Sequence, residues 1–177
     1  MRLLIPVFLL AVAARAVADD APARLYTSNS AVVVKSTGDT DATAKTDPLD
    51  IVDEIALKAS VDCGDTDCMG AQAVMAIETE DGASAALTLT PTGNGVHADI
   101  AGQPVGLAFK PGETFQVRIH WNAGHRITFD LYRTDPATGA SNMESHQVQL
   151  HAPVRDLALR ASHSQLTLLD QAYSFTR

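Results

Sequence analysis

The stretch 114–132 reads Thr-Phe-Gln-Val-Arg-Ile-His-Trp-Asn-Ala-Gly-His-Arg-Ile-Thr-Phe-Asp-Leu-Tyr, with apolar and polar residues alternating on both sides of a short turn. A period of two is the side-chain period of a β-strand, whereas a helix would scatter the same apolar set around its axis. A three-residue loop, Asn122-Ala123-Gly124 with Gly124 left-handed, pairs Trp121 with His125, Ile119 with Ile127, Val117 with Phe129 and Phe115 with Leu131. Those pairs are apolar up to the tip, so this face belongs to the core. The opposite face carries Gln116, Arg118, His120, Arg126, Thr128, Asp130 and Tyr132, with Arg118 beside Thr128 and His120 beside Arg126.

A second hairpin is legible around Glu80-Asp81-Gly82. It pairs Ile77 with Ala85, Met75 with Leu87 and Ala73 with Leu89, and turns Val74, Ala76, Glu78, Ser84, Ala86 and Thr88 outward. Glu78 and Glu80, beside the tip, are expected to be solvated. Further strand patterns fall at 31–34, 51–61, 96–100, 104–109, 146–151, 155–161 and 165–176, separated by turn signals such as Pro91-Thr92-Gly93-Asn94-Gly95 and Lys110-Pro111-Gly112. About eleven short strands at this spacing read as a β-sandwich or barrel. Residues 47–54 alone admit a helix, and a strand fits them as well.

Residues 1–18 read as a secretory signal peptide: Arg2, an apolar run from Leu3 to Ala14, then Ala16-Val17-Ala18 before Asp19-Asp20. Its removal leaves residues 19–177, a length expected of a single β-sandwich domain. The protein is therefore expected to be secreted or periplasmic, without membrane insertion. In residues 19–177, 11 basic residues face 21 acidic ones, a net charge of −10, which offers no electrostatic footprint for nucleic acid. Cys63 and Cys68, five residues apart in an exported chain, are expected to form a disulfide.

The segment from Phe109 to Trp121, with Arg126-Ile127-Thr128-Phe129-Asp130-Leu131-Tyr132 after it, resembles a hairpin of the concanavalin A-like lectin/glucanase superfamily, which includes laminin G-like modules. The resemblance implies an all-β fold, a two-sheet antiparallel jelly-roll sandwich, often with a face that binds carbohydrate. Glucanases of that fold resemble one another in a strand motif E-x-D-x-x-E or E-x-D-x-E, whose same-face carboxylates do retaining chemistry. None of Glu54, Glu78, Glu80, Glu113 and Glu144 stands in such a motif, and Asp53-Glu54 splits its side chains between opposite strand faces.

No nucleophile elbow, zinc-protease helix or phosphate loop is present. The histidines His97, His120, His125, His146, His151 and His163 show no converging metal-ligand pattern and read as surface residues. Two acidic loops have oxygen donors suited to a structural calcium ion: Asp62, Asp65 and Asp67 within the cysteine loop, and Asp39, Asp41 and Asp47. A solvated acidic loop that aids solubility is the plainer account of them.

The ligand-binding candidates are Arg118, His120, Arg126, Asp130 and Tyr132, same-face positions that offer charged donors and acceptors and one ring. The reading that follows is a non-catalytic recognition module for a glycan or polysaccharide, anionic if both arginines serve. Arg118, His120, Arg126 and Tyr132 also have the residue types for β-elimination, so a lyase-like polysaccharide enzyme is the alternative. A third reading is an envelope structural or interaction module.

Overall fold

The computed structural model describes residues 24–28, 31–36, 40–46, 49, 52–63, 68–135 and 137–175. The signal segment, Asp39, Asp47, Asp65 and Asp67 lie outside them. All regular structure among the described residues is β, in thirteen strands: β1 (Arg24–Ser28), β2 (Val32–Lys35), β3 (Ala42–Lys45), β4 (Glu54–Cys63), β5 (Gln72–Thr79), β6 (Ser84–Thr92), β7 (Gly95–Ile100), β8 (Gln103–Pro104), β9 (Thr114–Trp121), β10 (Arg126–Thr134), β11 (Ser141–Gln149), β12 (Val154–Ser162) and β13 (Ser164–Phe175). They form two antiparallel sheets. The seven-stranded sheet runs β1-β13-β4-β9-β10-β11 with β2 also on β13, and the six-stranded one runs β3-β12-β5-β6-β7-β8. No described helix is long and apolar enough to cross a membrane.

Alternation decides which side each strand buries. Ile55, Leu57, Ala59 and Val61 of β4, Phe115, Val117 and Ile119 of β9, and Ile127, Phe129 and Leu131 of β10 point inward and are buried. They meet Ala73, Met75 and Ile77 of β5, Leu87 and Leu89 of β6, and Leu157 and Leu159 of β12. Phe109 and Phe115 meet with ring centroids 5.3 Å apart. The β5–β6 register is the one read from sequence, with Ala73, Met75 and Ile77 opposite Leu89, Leu87 and Ala85.

The β9–β10 register differs by two residues. Ile127 pairs with Trp121 and Phe129 with Ile119, so Thr128 faces His120 and Asp130 faces Arg118. The cause is the turn. The His125 N–H donates to the Asn122 carbonyl at 2.9 Å, and Asn122 Oδ1 accepts from the N–H groups of Gly124 and Arg126. His125, not Gly124, takes the left-handed backbone, at φ 58°. A shift of two preserves each residue's face, so the core assignment survives while every neighbour pair changes.

Three other expectations are corrected. Segment 104–109 is not a continuous strand: β8 ends at Pro104, the Val105 N–H adds one more hydrogen bond to the Ala98 carbonyl at 2.9 Å, and Phe109 returns as a single bridge to Val96. The strand expected at 146–151 runs Ser141–Gln149 instead, and β1 and β3 were not apparent in the pattern. Glu78 is nearly buried rather than solvated. Lys45 and Arg155 donate to its Oε2 and Arg160 to its Oε1, the last two at 3.0 and 2.9 Å, from β3 and β12 across the outer side of the six-stranded sheet. The hydrogen bond from Lys45 above all, with those from Arg160 and Arg155, holds the Glu78 carboxyl below its ordinary 4.5.

Candidate functional site

The outer side of the seven-stranded sheet is organised in cross-strand rows. Asp170, Lys58, Gln116, Tyr132 and Met143 form one row across β13, β4, β9, β10 and β11. Ala172, Ala56, Arg118, Asp130 and Ser145 form the next, and Ser174, Glu54, His120, Thr128 and Gln147 the third. All fifteen project to one side because each row steps between directly opposed residues.

The two alanines shape the surface. Between longer neighbours, the methyl groups of Ala56 and Ala172 leave the sheet low, and an open groove of about 410 Å³ lies over them. Lys58, Gln116, Arg118, Tyr132 and Asp170 wall it. It spans β13 to β10, three strand spacings or about 14 Å.

Arg118 is held by Glu54. Its Nη2 donates to Glu54 Oε2 at 2.5 Å, and Tyr132, on the neighbouring strand, adds a lesser electrostatic influence of the same sign. The Glu54 hydrogen bond, the largest influence, raises the Arg118 pKa further, so the guanidinium is a fixed cation. Beside it, His120 Nδ1 lies 3.6 Å from Asp130 Oδ2, and this ring nitrogen is buried with no hydrogen-bond partner among the described residues. Asp130 itself is buried.

Of the five candidate ligand residues, Arg118 and Tyr132 wall the groove, and His120 and Asp130 flank it. Arg126 does not join them. It sits at the hairpin tip, opposite Gln149 and hydrogen-bonded through its backbone to Asn122. The register shift removes the expected His120–Arg126 contact. Glu54, Lys58 and Asp170 are site residues that hairpin reasoning missed. Strand parity in Glu54-Ile55-Ala56-Leu57-Lys58 shows Glu54 and Lys58 on one face, but not that β4 lies beside β9.

Elsewhere the histidines divide. His146 is not a surface residue: its Nε2 is 2.8 Å from Glu144 Oε1, Glu144 Oε2 accepts the Gly106 N–H, and the ring is largely covered. Cys63 and Cys68 are disulfide-bonded. Asp62 is exposed and accepts the Cys63 N–H, and the described residues contain no group of three or more metal-ligating side chains.

No family model and no curated protein sequence matches the chain. Solved structures do. The Crh5 transglycosylase in complex with NAG superposes with a TM-score of 0.59 at 11% identity, over 86% of this chain and 84% of that one. Lectin II from Ulex europaeus gives 0.56 at 12% identity, over 85% and 97%. The same lectin type complexed with galactose gives 0.54 at 14% identity, over 85% and 92%. At such identities the likeness concerns the fold alone, and that fold is the concanavalin A-like jelly roll.

Proposed function

We propose that this concanavalin A-like jelly roll is a secreted protein that binds a linear glycan in the groove over Ala56 and Ala172 without cleaving it. The observation that carries the reading is the groove itself. An apolar floor lies between side chains that both donate and accept hydrogen bonds, as a polyhydroxylated chain requires. Tyr132 and the exposed Met143, cross-strand partners, extend it as an apolar shelf toward β11. The sugar ligands of the lectin and transglycosylase neighbours support the ligand class. The disulfide supports export to an oxidising compartment.

Charge favours a neutral glycan over the anionic one suggested by paired arginines. Arg118 is already engaged by Glu54, Lys58 faces Asp170 across the strands, and Arg126 lies outside the groove. Retention on a neutral polysaccharide should therefore change little with salt.

The test is retention of residues 19–177 on immobilised β-glucan, xylan, chitin and polyuronate, scored for both binding and chain cleavage. At least one neutral polymer should retain the protein, and Ala56→Leu, which fills the floor without removing a polar group, should abolish retention. Retention unchanged by Ala56→Leu sinks the groove as the site. One observation favours a second reading. The His120 ring is partly exposed beside the groove while its Nδ1 is turned to Asp130, an arrangement a general base would need, and release of unsaturated fragments from the polyuronate in the same assay would select a lyase.

A further inference from the structure

A second cavity lies away from the groove, at the end of the sandwich reached by the β9–β10 tip. It has a volume of about 450 Å³ and is lined by Leu49, Val52, Asp53, Trp121, Asn122, Ala123, His125, Pro153 and Val154. Trp121 is the chain's single tryptophan. It has the parity of the core face, yet at the strand end it is only half-buried and lines this cavity.

The wall formed by the turn is built in advance. Beyond the hydrogen bonds within 122–126, Gln149 Nε2 donates to the Gly124 carbonyl at 2.7 Å and the Leu150 N–H to the His125 carbonyl at 3.0 Å. The Trp121 N–H donates to the Asp53 carbonyl at 3.0 Å, joining the turn to the opposite wall. His125 is held at φ 58°, a conformation that glycine would adopt with less strain. Strained backbone retained at a cavity wall is a feature of ligand sites, where the side chain presented outweighs the strain.

The chemistry of the lining selects a ligand. One indole ring, flanked by the apolar Val52, Pro153 and Val154, is rimmed by a carboxylate, an amide and an imidazole from Asp53, Asn122 and His125. An apolar surface edged by hydrogen-bonding groups fits a pyranose ring, whose CH face packs on an aromatic while its hydroxyls point to the rim. Among the described residues that line it there is no lysine or arginine to pair with an anionic sugar. We infer that the Trp121–His125 cavity is a second binding site, separate from the groove, that takes a single neutral pyranose.

The sole tryptophan is its own reporter. Emission of Trp121 would be followed in the full exported chain during titration with methyl β-glucoside, methyl β-galactoside, methyl α-mannoside and N-acetylglucosamine. At least one should produce a saturable change with a Kd of about 1 mM. His125→Gly, which accepts the left-handed φ and should keep or raise the melting temperature, should weaken that binding at least about fivefold. Ala56→Leu, which fills the groove, should leave it unchanged. No saturable change with any of the four sugars overturns the inference, as does a change untouched by His125→Gly or lost in Ala56→Leu. Polysaccharide retention reads the groove independently, so failure of either site is recognised separately.

Discussion

Arg118 of β9 and Glu54 of β4 are 64 residues apart in sequence, and their side chains meet at 2.5 Å on the wall of the groove. The pair is partly exposed, so its contribution to stability is about 0–1 kcal/mol. Its consequence is geometric: Glu54 holds the guanidinium in one direction before a ligand arrives. Glu54→Gln should leave the melting temperature nearly unchanged and lower glycan retention several-fold. Equal retention by the variant would show that Arg118 needs no such support.

Arg118→Ala and Arg126→Ala should separate. Arg118→Ala removes a charged donor from the groove and should cost about one to two decades in affinity. Arg126→Ala, at the tip and outside the groove, should leave retention intact. Loss of retention on Arg126→Ala alone would return the site to the hairpin tip.

The inward face of the central hairpin sets the stability of the domain. Ile119 and Phe129 are fully buried and directly opposed, so truncating either to alanine opens a cavity between the sheets. Each should cost roughly 2–5 kcal/mol in denaturant unfolding. A loss below about 1 kcal/mol would contradict that packing.

Glu78 should make stability fall in acid. Its carboxyl titrates lower in the folded protein than its ordinary 4.5, so the unfolded chain binds the proton more readily. The stabilisation from its three cations is complete above pH 4.5 and is lost as pH falls through the lower folded value. Because Lys45, Arg155 and Arg160 are half-exposed and screened, Glu78→Gln should cost about 1–3 kcal/mol at neutral pH. The variant should also flatten the stability profile below pH 4.5, and an unchanged profile would remove Glu78 from the acid transition.

The Cys63–Cys68 bond closes a short loop, so its effect should be small. Reduction and alkylation should lower stability by less than the ~3 kcal/mol expected of a 15-residue loop. Intact-mass measurement of the exported protein should find no alkylated thiol before reduction. Two alkylated thiols at that stage would refute the bond in the native protein.

The sequence by itself determined the faces. Strict alternation in 114–121 and 126–132 assigns Val117, Ile119, Ile127 and Phe129 to the core, because side-chain direction along a strand depends only on parity. The β5–β6 register was also legible, since its short turn joins neighbouring strands. The β9–β10 register was not: whether His125 or Gly124 takes the left-handed position depends on which N–H groups the Asn122 side chain captures, and the apolar pairing is satisfied either way. Only the tertiary structure decided the groove. Its floor needs Ala56 of β4 beside Ala172 of β13, and its walls need Lys58 and Arg118 brought together. Those are pairings between strands remote in sequence, chosen by how two whole sheets cover one core, and no local period encodes them. The same holds for Glu78, which looks solvated beside its own turn and becomes nearly buried only when β3 and β12 deliver Lys45, Arg155 and Arg160.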